Sequence, residues 1–181
     1  MIKGFRHCGP VILALGLVLL SLALSGADCA EQAGSAAAHS ESDLKCVTSE
    51  TTGVTLVWAV DRDDLIGVLR APGAGWVAVG FAGDQTASSG KLVIGAVVNG
   101  RSVVKLKKFA GSSLAADGRL LEAHAAREGG ATVVIFRARL QDLGLADKVG
   151  KRLPVILARN AGQDDIDQYQ SGSVGTVSVT L

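Results

Sequence analysis

The stretch GWVAVGFAGDQTASSGKLVIGAV, residues 75–97, decides the fold class of this chain. Two apolar runs of alternating character flank a small and polar segment, residues 82–90. Short alternating runs are typical of β-strands, and a polar segment between two of them is typical of a connecting loop. The stretch therefore predicts two neighbouring strands, and it leaves open whether their loop binds a ligand or only connects them.

Similar short runs continue to the carboxyl end, separated by turn sequences such as Asn99-Gly100. No sustained helical period accompanies them. Many short strands at fairly regular spacing are typical of antiparallel sandwiches, so we predict an all-β fold, an antiparallel immunoglobulin-like β-sandwich of about nine or more strands. In the run from residue 131 to 140, we expect Val134 and Phe136 to face the interior and the arginines to face solvent. The predicted runs begin at residues 54, 65, 75, 91, 102, 119, 131, 153 and 174.

The amino terminus has the pattern of a secretory signal peptide. Lys3 and Arg6 precede an uncharged apolar run, Val11–Leu24, and small residues follow it. That run is shorter than the roughly 20 residues needed to span a bilayer. We therefore expect residues 1–27 to be removed, which leaves no membrane span and gives a secreted or periplasmic protein.

Two cysteines, Cys29 and Cys46, would remain after this cleavage. An even pair in an exported chain predicts a disulfide, and two free thiols are the alternative. Asp28 stands before Cys29, where a lipid-attachment signal has a small residue, so we expect no lipid anchor. The small and polar composition of residues 28–46 predicts a flexible arm, and residues 47–181 are then the folded domain.

Charge and motif content exclude several functions. Without Lys3 and Arg6, the 18 basic residues become 16 against 17 acidic ones, a formal charge of about −1. No basic surface for nucleic acid is therefore expected. The chain also contains no His-Glu-x-x-His zinc motif and no phosphate-binding glycine loop. We predict a protein that is not an enzyme by itself.

The order of the runs resembles that of the DOMON domain, an extracytoplasmic β-sandwich found beside dopamine β-monooxygenase and in the cytochrome domain of cellobiose dehydrogenase. The resemblance covers about residues 47–181, and it implies a ligand-binding module for either haem or sugar. It also implies a partner that is a small-molecule ligand or a redox protein of the membrane. The runs that carry it are VTLVWAV, GWVAVGFA, GKLVIGAVV, VVIFRARL and LPVILARNAGQDDIDQYQSGSVGTVSVTL.

The resemblance also implies where haem ligands would lie, namely a methionine in the loop after GWVAVGF and a histidine near the carboxyl end. Here the only methionine is Met1, the loop offers Gln85, and Gln170 stands in the place of the histidine. Haem b would therefore lack its expected axial donors, so the cofactor stays open. Lys91 and His124 are the remaining candidate donors to haem iron. The alternative is that Lys91 is a solvated lysine at the start of a strand and His124 a hydrogen-bonded or exposed strand residue.

A sugar or other polar ligand needs an aromatic platform and a few polar groups. Trp76 and Tyr169 are the aromatic candidates, although a tryptophan on such a strand is also a common core residue. The full set of ligand-binding candidates is Trp76, Gln85, Lys91, Tyr169 and Gln170. A structural sandwich that binds no ligand, and an electron-transfer protein with atypical haem ligands, are the alternatives.

Two charged clusters complete the candidates. Asp164, Asp165 and Asp167 could hold calcium with carbonyl groups, and a solvated acidic turn is the alternative. The lysines at 105, 107 and 108 predict a strand that faces solvent or lies at a sheet edge, without need of an anionic partner.

Overall fold

The computed structural model describes residues 44–81, 90–110, 113–167 and 172–181. Within these ranges the chain forms eleven β-strands and no α-helix. The described residues likewise contain no helix long and apolar enough to cross a membrane. The strands are β1 (Lys45–Thr48), β2 (Thr55–Asp61), β3 (Asp64–Pro72), β4 (Trp76–Phe81), β5 (Lys91–Val98), β6 (Arg101–Ala110), β7 (Ser113–Ala116), β8 (Glu122–Glu128), β9 (Ala131–Arg139), β10 (Arg152–Asn160) and β11 (Ser173–Thr180).

The strands form two antiparallel sheets that pack face to face. The five-stranded sheet has the order β1-β2-β3-β9-β8, and the six-stranded sheet has the order β11-β10-β4-β5-β6-β7. The predicted all-β antiparallel sandwich of nine or more strands is confirmed. The two runs of the opening stretch are β4 and β5, which pair directly near the centre of the six-stranded sheet.

Alternation along the strands builds the interior between the sheets. Val134 and Phe136 of β9 are buried there, whereas Arg137 is partly exposed and Arg139 is exposed, as predicted. Trp58 of β2 is buried in the same interior. We call this set the inner core, and it includes Val77, Val79, Phe81, Val93, Leu106, Val155, Leu157 and Val179.

A glycine of β3 makes room for the ring of Phe136 in the inner core. Gly67 of β3 lies opposite Phe136 of β9 in the pairing register. A Cβ atom at Gly67 would overlap the ring of Phe136. The ring therefore packs directly on the backbone of β3, and only glycine fits at that position without a shift.

The predicted signal peptide and most of the predicted arm lie outside the described residues. The first described strand, β1, begins at Lys45, and Cys46 within it is disulfide-bonded. Cys8 and Cys29, the other cysteines of the chain, also lie outside the described residues. The pairing of Cys46 with Cys29 therefore stays a prediction.

Candidate ligand-binding site

Strand β4 is buried on both of its faces. All six of its residues are buried, which is unusual in a two-layer sandwich, where one face of each sheet normally meets water. Val77 and Val79 belong to the inner core, whereas Trp76 and Ala78 belong to a second apolar cluster. We call this second set the outer cluster, and it consists of Trp76, Ala78, Leu92, Ile94, Ala96, Ala158 and Ile166.

The loop of residues 161–167, which we call the covering loop, lies over this outer face. The backbone N–H of Trp76 donates to the carbonyl oxygen of Gln163 at 2.8 Å. The side chain of Ile166 is buried within the outer cluster. The loop thus leaves the end of β10 and contributes its own apolar residue to the face of the sheet.

Two lysines of β6 hold the far end of the covering loop. Lys105 Nζ lies 2.7 Å from Asp167 Oδ2, and Lys107 Nζ lies 2.7 Å from Asp167 Oδ1. Lys107 Nζ also donates to the carbonyl oxygen of Ile166 at 3.1 Å. The hydrogen bonds from Lys105 and Lys107 lower the pKa of Asp167 to about 2. This carboxylate therefore stays ionised at any physiological pH.

The prediction of a solvent-facing or edge strand is wrong for Lys107. Strand β6 lies between β5 and β7, so it is not an edge of the sheet. The Lys107 side chain is only 5% exposed, and its ammonium group needs a counter-ion for that reason. Asp167 supplies it.

A second ion pair holds the middle of the covering loop to the five-stranded sheet. Arg127 Nη2 of β8 donates to Asp164 Oδ1 at 2.6 Å, and its Nη1 donates to Thr132 Oγ1, also at 2.6 Å. The buried hydroxyl of Thr132 donates in turn toward the carbonyl oxygens of Gly73 and Gly75, each at 3.1 Å. The covering loop is therefore held by both sheets.

These contacts account for the acidic cluster predicted from the sequence. Asp164 pairs with Arg127, and Asp167 pairs with the β6 lysines, while Asp165 Oδ1 accepts the backbone N–H of Asp167 at 2.9 Å. Among the described residues, no group of three His, Cys, Asp or Glu side chains could hold a metal ion. Two of the three carboxylates thus bind cationic side chains of the same chain, and calcium binding stays a prediction.

The structure does not bring Lys91 and His124 together. Lys91 Nζ lies 2.5 Å from Asp117 Oδ2, and it shares the strand face of Val93, an inner-core residue. His124 is exposed on β8 of the other sheet, on the face opposite to the buried Ala125. Neither side chain lies on the outer face of the six-stranded sheet.

Of the remaining candidates, only Trp76 falls within the described residues. It is 1% exposed and forms part of the outer cluster, so it lies both in an apolar core and on the face beneath the covering loop. Gln85, Tyr169 and Gln170 lie outside the described residues. The sequence reasoning missed Lys105 and Lys107 as site residues, although their spacing places them on one face of β6.

A separate open groove of about 630 Å³ lies at one end of the five-stranded sheet. Its lining is mainly charged, and Arg137 within it pairs with Asp64, with Nη2 2.7 Å from Oδ2. None of the residues predicted from the sequence as site residues lines this groove. The outer face beneath the covering loop is therefore the better candidate site.

Comparison with known proteins gives matches at the level of structure only. No family model and no curated protein matches the chain. The cytochrome b domain of pyranose dehydrogenase from Coprinopsis cinerea matches with a TM-score of 0.58 at 13% identity, over 75% of this chain and 80% of that one. The cytochrome domain of Myriococcum thermophilum cellobiose dehydrogenase matches with a TM-score of 0.53 at 18% identity, over 76% of this chain and 81% of that one. At these identities the similarity shows the fold: this chain has the DOMON-like β-sandwich fold of the dehydrogenase cytochrome domains.

Proposed function

We propose that this protein is a non-catalytic module that binds a small molecule on the outer face of its six-stranded sheet, beneath the covering loop. The outer cluster carries this proposal. A two-layer sandwich needs only the interior between its sheets, and the opposite face of each sheet is usually polar. Here that face is apolar from β10 through β4 to β5, which suits contact with the apolar part of a ligand.

The carboxylates that hold the covering loop remain accessible to water. The loop makes three ion pairs, one from Asp164 and two from Asp167, and these carboxylate side chains are 46% and 59% exposed. Exposed ion pairs contribute only about 0–1 kcal/mol each, because water and salt screen them. The contacts of the buried Lys107 and Ile166 cost more to break, so the loop leaves the sheet only when a ligand replaces both of them, while the inner core keeps its packing.

The described residues do not fit haem as the ligand through the usual donors. The outer face of the six-stranded sheet carries no histidine, methionine or cysteine among the described residues. Lys107 has the only amine that is buried on that face in the described ranges, and its ammonium group donates to Asp167. We therefore derive no redox step for this chain.

We place this binding outside the cytoplasm as part of the proposal. The predicted signal peptide, residues 1–27, supports export. The disulfide at Cys46 supports the same location, because disulfides persist mainly in oxidising compartments.

The two tryptophans of the chain provide a direct test. Trp58 lies in the inner core and Trp76 in the outer cluster, so each tryptophan reports on a different apolar region of the protein. In the Trp58→Phe variant, tryptophan emission comes from Trp76 alone, and in Trp76→Phe it comes from Trp58 alone. Both variants would be titrated with a neutral disaccharide, haem b and an alkyl carboxylate. We expect at least one of these to change the emission of Trp58→Phe while leaving that of Trp76→Phe unchanged.

No change in Trp76 emission with any ligand of the panel would contradict the proposal.

Electron transfer is the second candidate function, because both matching structures are cytochrome domains. Reconstitution with haem b tests it by absorption spectroscopy. We expect no spectrum of six-coordinate, low-spin haem. Such a spectrum, lost on Lys91→Ala or His124→Ala, would favour electron transfer instead.

A further inference from the structure

The carboxylate of Asp167 occupies a binding site made by two ammonium groups. One oxygen accepts from Lys105 and the other from Lys107, each at 2.7 Å. Both lysines belong to one strand, whereas the carboxylate comes from the covering loop, about 60 residues along the chain. The two lysines of this single strand therefore bind both oxygens of one carboxylate.

The burial of the partners is unequal, and this makes the carboxylate exchangeable. The Lys107 side chain is 5% exposed, whereas the Asp167 side chain is 59% exposed. A buried ammonium group without a counter-ion is costly, so this site requires a carboxylate. An exposed carboxylate on a loop can be replaced by another carboxylate with little loss, because water already reaches it.

The carboxylate-binding site lies directly beside the apolar surface. In the pairing of β5 with β6, Lys107 is opposite Leu92 and Lys105 is opposite Ile94. Both of these apolar residues belong to the outer cluster. The covering loop fills the combined surface with one carboxylate, that of Asp167, and one adjacent apolar side chain, that of Ile166.

We propose that Lys105 and Lys107 bind the carboxylate of a ligand with an apolar body, and that Asp167 and Ile166 compete with this ligand for the same surface. The inference rests on the proposed function and names the ligand class of that site. The ligand carboxylate replaces Asp167 between the two ammonium groups, and its apolar part replaces Ile166 on Leu92 and Ile94. No covalent change is involved.

Because the loop and the ligand compete, neutralising Asp167 and neutralising Lys107 should have opposite effects on the affinity for the ligand. Binding must displace the loop, so the free energy that holds Asp167 in place is subtracted from the affinity for the ligand. Removing the charge of Asp167 therefore strengthens binding. Removing the charge of Lys107 weakens it, because the ligand carboxylate then has no buried partner.

The test uses decanoate and its uncharged counterpart decan-1-ol, with Trp76 emission in the Trp58→Phe background as the readout. We expect Asp167→Asn to raise the affinity for decanoate about tenfold, which corresponds to one hydrogen bond to a charged group. Lys107→Met should lower it by about tenfold or more. Lys105→Met, at a more exposed position, should lower the affinity for decanoate less. This variant still tests the site if the buried variant Lys107→Met fails to fold.

Asp164→Asn is the matched control, because it removes a carboxylate of the covering loop that pairs with Arg127 instead of the lysines. We expect it to change the decanoate affinity much less than Asp167→Asn does. An equal gain in both variants would overturn the proposal, since loop release alone would then explain the effect.

The two probes separate this inference from the proposed function. Decan-1-ol binding as tightly as decanoate in every variant would overturn the carboxylate-binding site while leaving a ligand-binding face intact. Absence of binding by both probes would also overturn it, and the proposed function would then depend on the disaccharide and haem titrations.

Discussion

The Nζ atom of Lys107 lies 2.7 Å from Oδ1 of Asp167, although the lysine side chain is buried and the aspartate side chain is exposed. The contact joins β6, the strand next to one edge of the six-stranded sheet, to a loop that reaches it from the end of β10. Because the loop carries the counter-ion, the position of the loop and the electrostatics of the sheet face are coupled.

Acid should weaken this contact. The pKa of Asp167 is lowered in the folded protein from 3.8 to about 2, so the folded state favours the ionised form. Its contribution to stability is complete above the unfolded pKa of about 4 and is lost as the pH falls toward about 2. We expect Asp167→Asn to be less stable than the wild type at neutral pH by about 1–2 kcal/mol, because the buried Lys107 loses its charged partner while the exposure of Asp167 limits the loss. Urea midpoints measured between neutral pH and about pH 2 should converge, and a constant difference would contradict this assignment.

Gly67→Ala should destabilise the protein through its contact with Phe136. The added Cβ overlaps the ring of Phe136, so the ring must move in a closely packed core, at a cost of about 1–3 kcal/mol. The double variant with Phe136→Leu should recover part of that loss relative to the sum of the single variants. Chemical denaturation of all four proteins measures this coupling. Strict additivity would show that the ring is not the obstacle.

Gly75→Ala should be more damaging than Gly144→Ala. Both glycines have positive φ, +108° and +72°, so both alanines bear backbone strain. At Gly144 nothing lies within 4 Å of an added Cβ, and we expect a loss of about 1 kcal/mol. At Gly75 the Cβ would overlap the carbonyl oxygen of Asn160, and we expect a loss on the order of 4 kcal/mol. Thermal unfolding measures the stability of the two variants. Equal losses would contradict the close approach of Gly75 to the carbonyl oxygen of Asn160.

Cys46→Ser should destabilise the edge of the five-stranded sheet. Cys46 is disulfide-bonded within β1, and loss of such a bond typically costs about 2–4 kcal/mol. Peptide mapping without reduction identifies the partner, and we expect a peptide that links Cys46 to Cys29. A peptide that links Cys46 to Cys8 would contradict both this pairing and the removal of residues 1–27.

The longer strands could be predicted from sequence because their alternation is visible over several residues. Val134 and Phe136 of β9 were assigned to the interior correctly for that reason. Strands β1 and β7 were missed because each has four residues, which gives only two residues per face. The solvent-facing or edge prediction for β6 rests on its three lysines, and it is wrong for Lys107 because the counter-ion Asp167, which allows this side chain to be buried, is remote in sequence.

The candidate site could be predicted only in part. Trp76 was named from its own strand, since a local pattern suffices for that. The contact of Lys107 with Asp167 joins residues 60 positions apart, and no local pattern encodes such a pairing. The sequence therefore identifies Asp167 as an acidic residue, while its role as a counter-ion appears only once the chain is folded.

One strand separates two apolar interiors in this protein. Val77 and Val79 of β4 point into the interior that holds the sheets together, and Trp76 and Ala78 point into the one beneath the covering loop. Because successive side chains of a strand point to opposite sides, the two sets of positions can vary separately. Substitutions at the outer positions can therefore change the proposed binding surface while the inner positions preserve the packing between the sheets.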